Sequence, residues 1–167
     1  MQRGDLVVTE VLPPERDRFT DALTTIGVLA HWREEAGDHS GAAAAWKELL
    51  AARVRVLGPD HLDTIAAWEL LASSLGKAGD LEGAAAAVEE VVAGRVRLLG
   101  WEHPDTLSAR GHLAYGQGMA GDADAAATAF RQLLEDYFRV LGPEHPDTCV
   151  MLEYTAYWQA RAGKEAP

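Results

Sequence analysis

Three histidines recur along the chain in nearly the same phrase, and histidine is the commonest metal ligand among the side chains. His61, His103 and His145 stand in VLGPDHLDT, LLGWEHPDT and VLGPEHPDT. Two zinc–nitrogen bonds span only about 4 Å, whereas equivalent points on successive packed helices lie about 10 Å apart. The three histidines are therefore too far apart to share one ion, and the phrase predicts a turn between helices.

Other reactive side chains form no recognisable catalytic or metal motif. His31 and Glu35 are an i, i+4 pair of the kind that some metal sites use, but the sequence shows no third ligand. Cys149 is expected in the first turn of a helix, packed and inert. We therefore predict no catalytic residue, no metal site and no cofactor, and the sequence favours a function other than catalysis.

The composition excludes several classes of protein. The 167 residues are 48% hydrophobic, which predicts a folded domain rather than a disordered chain. No apolar run approaches the roughly 20 residues of a membrane helix, and MQRGDLVVTEVL is too poor in apolar residues for a signal peptide. The net charge of −11 argues against nucleic acid and membrane partners and favours neutral or basic ones. Since Cys149 is the only cysteine, we expect a cytoplasmic protein.

The chain repeats itself at a constant interval, as the even spacing of Arg55, Arg97 and Arg139 shows. A period of roughly 40 residues indicates a solenoid, a propeller or an array. The segments between the repeated phrases, such as LEGAAAAVEEVVAGRVRLL, are rich in helix formers and lack the alternation of strands. Each period breaks once more at AGD, where glycine suits the end of one helix and aspartate the N-cap of the next. Each period therefore holds two predicted helices.

The predicted fold is all-α, a right-handed superhelical solenoid of three helical hairpins and a final helix. We expect the seven helices at about 20–36, 39–57, 62–78, 81–99, 104–120, 123–141 and 146–162. Residues 1–13 stand outside the pattern and are expected to be an N-terminal arm or a frayed tail. Residues 14–167 are predicted to form a single solenoid domain.

These residues resemble the tetratricopeptide repeat (TPR), in the long form found in kinesin light chain and many bacterial proteins. The family has a small residue midway along each helix, which lets helices cross closely, and a glycine before the turn within each hairpin. The small residues are Ala30, Ala72 and Ala114 in the first helices and Ala42, Ala84 and Ala126 in the second. The bulky residue four positions further on is Trp46, Val88 or Phe130, and the glycines are Gly37, Gly79, Gly121 and Gly163.

The resemblance implies that the first helix of each hairpin lines a concave groove. Peptide-binding members often carry NLA in that helix, but the matching stretches here are VLA, LLA, HLA and YTA, so no asparagine clamp is implied. The side chains that helical spacing brings to the groove are Thr24, His31, Glu35, Leu70, Ser73, Lys77, His112, Tyr115, Met119, Tyr154, Tyr157 and Arg161. They predict an aromatic and mildly polar binding surface.

Three functions are compatible with such a surface. The first is a protein-interaction scaffold that binds a peptide segment or a partner protein in the groove. The second is a small-molecule receptor or an enzyme that uses a pocket around His112, Tyr115 and Tyr154. The third is a structural unit that assembles with itself.

Self-assembly is suggested by the last helix. Its apolar residues, which are more than one buried face requires, are Val150, Met151, Leu152, Tyr154, Tyr157 and Trp158. We expect an exposed patch around Trp158 that a second copy would cover, which gives a homodimer through the C-terminal helix.

Overall fold

The computed structural model describes the backbone of residues 14–165 and the side chains of residues 23–163. These residues form seven α-helices and no strand, so the all-α prediction is confirmed. The helices are α1 (Pro14–Glu35), α2 (His39–Leu57), α3 (Leu62–Lys77), α4 (Leu81–Leu99), α5 (Pro104–Met119), α6 (Ala123–Val140) and α7 (Pro146–Glu165). Each packs against the next along the chain, which makes a solenoid of three hairpins and a final helix. The predicted arm over residues 1–13 lies outside the described residues.

Each turn within a hairpin is built on a glycine and an aspartate, as predicted. Gly37, Gly79 and Gly121 have φ values of 77°, 86° and 105°, a region that residues with a Cβ rarely adopt. The residue after each glycine is the N-cap of the following helix. Its carboxylate accepts the backbone N–H three residues further on, at 2.9 Å in Asp38, Asp80 and Asp122. These turns fix the antiparallel arrangement within each hairpin.

The repeated phrase is the turn between hairpins, and the histidine caps the next helix. The Nδ1 atoms of His61, His103 and His145 accept the N–H of the aspartate two residues on, at 3.1, 3.2 and 3.2 Å. The threonine of the phrase closes two of the three turns: Thr64 donates to the Gly58 carbonyl, and its counterpart in the last turn donates likewise. The hydroxyl of Thr106, in the middle turn, is buried without a hydrogen-bond partner.

Two predictions at the ends of the solenoid were wrong. The first helix begins at Pro14 rather than near residue 20, because no turn signal interrupts the helix-forming run PERDRFTDAL. Gly163 does not end a helix but lies within α7, which continues to Glu165 instead of ending near residue 162. The resemblance placed a turn there, but helical backbone accepts glycine at only a modest cost.

Small residues at the helix crossings let the helices pack closely. The buried residues form three clusters. Five of the six predicted alanines are buried, and Ala84 packs at the edge of the core. The first cluster spans α1 to α4 and includes Trp46 and Leu71. A second cluster spans α5 to α7 around Phe130 and Trp158. The third cluster lies between the other two and consists of four buried residues, Ile65, Val91, Val92 and Ala109.

Trp158 is fully buried, so the prediction that it lies in an exposed patch was wrong. The reason is Gly118, which leaves room for the indole on α5: a Cβ on Gly118 would lie 2.3 Å from the Trp158 ring. Tyr115 and Tyr157 meet the indole edge-on, with ring centroids 5.9 and 5.0 Å away. Self-association through α7 stays a prediction, and it would depend on exposed residues such as Leu152 and Tyr157.

The contact between Gly118 and Trp158 predicts opposite effects for two nearby glycine substitutions. Gly118→Ala forces a Cβ into the indole and should lower the free energy of unfolding by about 1–3 kcal/mol. Gly116→Ala meets open space on the same helix and should raise stability by up to about 1 kcal/mol through helix propensity. Thermal melting followed by circular dichroism compares the two. Equal melting temperatures would contradict this packing.

Candidate functional site

Three clefts meet at His112, which lines all of them. The C-terminal cleft has a volume of about 580 Å³ and lies between α5 and α7, with Phe130 and Tyr137 of α6 in its lining. The central cleft, of about 340 Å³, lies between α3 and α5, with Val91 and Arg95 of α4 in its lining. The side cleft, of about 260 Å³, is almost wholly apolar and includes Met119. His112 therefore borders all three depressions.

Aromatic rings form much of the C-terminal cleft. Phe130 and Tyr154 are stacked, with centroids 5.4 Å apart and planes inclined by 14°. Tyr115 meets Tyr154 edge-on at 6.1 Å. Phe130 is buried, while Tyr115 and Tyr154 are 42% and 39% exposed. The cleft thus presents aromatic faces and edges to a ligand on a preformed wall.

The charges that line this cleft are mainly negative. Asp105 and Asp147, in the first turns of α5 and α7, contribute two carboxylates, and among the described residues His112 is the only basic one in the lining. Burial raises the pKa of the Tyr137 phenol, and the Asp147 carboxylate raises it further, so Tyr137 carries its proton at neutral pH. The site is suited to apolar or cationic groups rather than to anions.

The central cleft contains an ion pair that the C-terminal cleft lacks. Arg95 donates from Nη2 to the Glu69 carboxylate and from Nη1 to the backbone carbonyl of Asp105. Arg95 is only 21% exposed and Glu69 is 39% exposed. The pair occupies space between α3 and α5, in keeping with the smaller volume of the central cleft.

The comparisons with known proteins decide the family. The sequence model of the tetratricopeptide repeat matches residues 22–63, 65–105 and 106–147. The chain belongs to the tetratricopeptide repeat family. The resemblance inferred from the alanine and glycine pattern is therefore confirmed.

Solved TPR structures share the fold of this chain. One, from Podosopora anserina, consists of nearly identical TPR-like repeats of the kinesin light chain type; it is 23% identical, with a TM-score of 0.70 over 85% of this chain and 67% of that one. A single-substitution variant of that protein gives the same values. BtubC (BKLC) from P. vanneervenii is 18% identical, with a TM-score of 0.72 over 84% of this chain and 56% of that one. No curated protein matches the sequence. At these identities the likeness establishes the fold alone.

The TPR arrangement brings together some of the predicted groove residues and leaves others apart. His112, Tyr115 and Tyr154 meet in the C-terminal cleft, Ser73 joins His112 in the central cleft, and Met119 joins His112 in the side cleft. The predicted residues that line none of these three clefts are Thr24, His31, Glu35, Leu70, Lys77, Tyr157 and Arg161. Of these, Arg161 donates to the Tyr157 hydroxyl at 3.3 Å.

Lys77 is held by a carboxylate of the first TPR hairpin. Glu34 accepts hydrogen bonds from Lys77 Nζ at 2.9 Å, from Ser74 Oγ, and from His39 Nδ1 at 3.1 Å. Burial alone would raise the pKa of Glu34, but these three donors outweigh it and lower that pKa below its usual value. Lys77 therefore ties α3 to α1.

Sequence reasoning missed the residues of the C-terminal cleft that lie outside the first helices' groove face. Phe130 and Tyr137 belong to α6, and Asp147 lies at the start of α7. A comparison of equivalent positions in successive repeats would have found one of the missed residues, because Tyr137 stands where the two preceding repeats have Arg53 and Arg95.

Neither a metal centre nor a membrane span emerges from the part of the chain that the structure describes. It contains no group of three His, Cys, Asp or Glu side chains placed to hold an ion. Among its helices, none combines the length and the apolarity that crossing a membrane requires. Cys149 is exposed, so the expectation that it is packed was wrong. Cys149 lies in the first turn of α7, where its neighbour Thr148 is buried instead.

The Glu34 cluster predicts a loss of stability in acid. A carboxyl whose pKa is lowered by folding stabilises the native state above its unfolded pKa, near 4.5, and this contribution disappears as the pH falls through the folded pKa. Glu34→Gln should therefore be less stable than the parent at pH 7, and the difference should shrink below about pH 4.5. Urea unfolding across a pH series measures it. Glu35→Gln, an exposed neighbour, is the control and should parallel the parent; a Glu34→Gln difference that is constant with pH would contradict the assignment.

Proposed function

We propose that this chain is an interaction scaffold that binds an extended segment of a partner protein along α3, α5 and α7. TPR repeats are generally protein–protein interaction modules. The observation that carries the proposal is that three neighbouring clefts along these helices share His112 in their lining. Neighbouring depressions of this kind suit an extended peptide, whose side chains enter separate pockets.

Exposed apolar side chains along the same helices support this proposal. Leu70, Tyr115, Met119, Tyr154 and Tyr157 are between 39% and 52% exposed. Single exposed apolar residues are ordinary, but Tyr115 and Tyr154 contact each other and, with Met119, line preformed clefts, which is typical of interaction surfaces. Aromatic residues are also enriched where binding energy concentrates.

The charge of the chain supports a neutral or basic partner segment. The net charge is −11, and Asp105 and Asp147 stand in the largest cleft. A potential of this sign repels nucleic acid and anionic membrane surfaces and attracts cationic segments. The exposed, unpaired Cys149 supports a reducing compartment, the cytoplasm.

A small-molecule ligand is the second candidate function. The C-terminal cleft, at about 580 Å³, lies within the range of roughly 300–1,000 Å³ that is typical of small-molecule sites. Its mixture of aromatic rings and a few polar groups is also typical of them. Such a ligand would occupy the C-terminal cleft alone, whereas a peptide would engage the other two clefts as well.

A peptide-display selection on the purified chain tests the proposed scaffold. We expect peptides to be enriched whose affinity falls at least about tenfold in His112→Ala/Tyr115→Ala, because an aromatic anchor at the centre of an interface contributes about 2 kcal/mol or more and about 1.4 kcal/mol is a factor of ten. Phe138→Ala, which removes an exposed aromatic ring of α6 outside the three clefts, is the matched control and should bind like the parent.

Two controls distinguish loss of binding from loss of folding in this test. Tyr115 packs on Trp158, so the melting temperature of each variant is measured in parallel, and the single change His112→Ala removes an exposed side chain without touching that packing. Selected peptides that bind the double variant as tightly as the parent would place the site elsewhere. If selection fails and native mass spectrometry shows a copurified small molecule, the second candidate replaces the first.

A further inference from the structure

The three helical hairpins, which we call the first, second and third units, differ at one position beside the candidate binding site. Arg53, Arg95 and Tyr137 occupy the same place in successive repeats. Arg53 donates from Nη1 to the carbonyl of Asp63 at 2.7 Å, and Arg95 donates from Nη1 to the carbonyl of Asp105. In both units a guanidinium thus binds the first turn of the next hairpin's first helix, beside an aspartate.

The third unit keeps the acceptor and loses the cation. Asp147 occupies the position of Asp63 and Asp105, but Tyr137 stands where the arginines stand. The guanidinium groups of Arg110 and Arg139 bind the carboxylates of Asp136 and Glu102 rather than the Asp147 carbonyl. The first turn of α7 therefore lacks the arginine of the preceding helix that its two counterparts bind.

The partner of that guanidinium is missing from the third unit as well. Glu69, which binds Arg95 in the central cleft, is replaced at the equivalent position by Gly111, as it is by Gly27 in the first unit. A Cβ on Gly111 would meet nothing within 4 Å, so the space is open. With tyrosine in place of Arg95 and glycine in place of Glu69, the cleft volume is about 580 Å³ rather than about 340 Å³.

The walls of the enlarged cleft suit a guanidinium. Asp105 and Asp147 line it, which supplies negative charge beside the Asp147 carbonyl. The stacked pair of Phe130 and Tyr154, with Tyr115 at its edge, offers ring faces. A guanidinium is planar and weakly hydrated, stacks on aromatic rings and donates in a fixed fork, whereas an ammonium is a strongly hydrated point charge. Within the described part of the chain, no lysine or arginine lines the cleft to attract an anion.

We propose that the C-terminal cleft binds an arginine side chain of the partner segment, whose guanidinium takes the place that Arg53 and Arg95 fill in the first two units. This inference rests on the proposed function, which it narrows to segments that contain arginine. The occupant is a peptide rather than a free guanidinium compound, because the central and side clefts border the C-terminal cleft at His112 and offer further surface to flanking residues.

Nuclear magnetic resonance titration of the isotope-labelled chain with short capped peptides tests the proposal. The probe is acetyl-Gly-Ala-Arg-Ala-Gly-amide, compared with peptides that carry citrulline or lysine in place of arginine. We expect saturable shifts at the amides of Gly111, His112, Val150 and Tyr154. The lysine peptide should bind at least about threefold more weakly, and the citrulline peptide, with the same shape but no charge, at least about fivefold more weakly.

Variants of the chain locate the contact. Asp147→Asn should weaken the arginine peptide about three- to fivefold, the range for an exposed charge pair, while the equivalent change Asp63→Asn in the first unit should have no effect. The double variant Gly111→Glu/Tyr137→Arg rebuilds the ion pair of the central cleft, and it should abolish binding because the chain's own guanidinium then occupies the cleft. Melting temperatures show that each variant is folded, and Asp147→Asn changes an exposed side chain only.

Several results would overturn the proposal. One is equal affinity for the arginine and citrulline peptides, and another is that the arginine peptide does not saturate the chain at millimolar concentration. Chemical-shift changes confined to residues outside the C-terminal cleft would also contradict it. So would Asp147→Asn and Asp63→Asn variants that change the peptide affinity equally. Acetylarginine amide that binds as tightly as the peptide would overturn the choice of a peptide as the occupant. Peptide display distinguishes failure of this inference from failure of the proposed function. If the enriched peptides lack arginine but their affinity still depends on His112 and Tyr115, this inference is refuted and the proposed function stands.

Discussion

The close approach of neighbouring helices is the constraint on which the rest of this structure depends. Alanines at the helix crossings are almost completely buried, among them Ala30 and Ala42 in the first hairpin and Ala114 and Ala126 in the third. Small side chains at the crossings let the bulky residues one turn away interdigitate, as interiors of normal packing density require. The clefts follow from this geometry, since successive first helices are separated enough to leave a depression above each second helix.

The helices and turns could be predicted because each rests on local chemistry. Glycine with positive φ, an aspartate cap and a histidine cap act within a few residues, so a repeated phrase such as LGPEHPDT specifies a turn wherever it stands. Trp158 could not be placed in the same way. Its burial depends on Gly118, a residue two helices earlier in the chain whose missing side chain makes the space. Amphipathic patterns indicate how many faces a helix buries, but not which neighbour accommodates a large ring.

The site was predictable to the extent that helical spacing governs it. His112 and Tyr115 share a face of α5 and do line the same cleft, together with Tyr154. What could not be read from one helix is the contribution of the second helices, since Phe130 and Tyr137 reach the cleft from α6. One helix also does not reveal the ion pair of Lys77, because its partner, the Glu34 carboxylate, belongs to α1. The contact between Glu34 and Lys77 does not recur, because Gly76 and Met119 stand at the equivalent positions of the next repeat, so it leaves no periodic trace in the sequence.

The thin middle of the interior has a consequence for the mechanics of this chain. Between the second and third units the buried set comprises only Ile65, Val91, Val92 and Ala109, and the turn at the same place has the one threonine, Thr106, whose hydroxyl finds no acceptor. In a linear array each unit is coupled to its nearest neighbours alone, so the weakest junction limits how far an opening event spreads. We therefore expect α1 to α4 and α5 to α7 to unfold as two partly independent segments. The central cleft lies between α3 and α5 and so spans the boundary of these segments. A partner bound across this cleft would couple them, so that they unfold in a single cooperative transition.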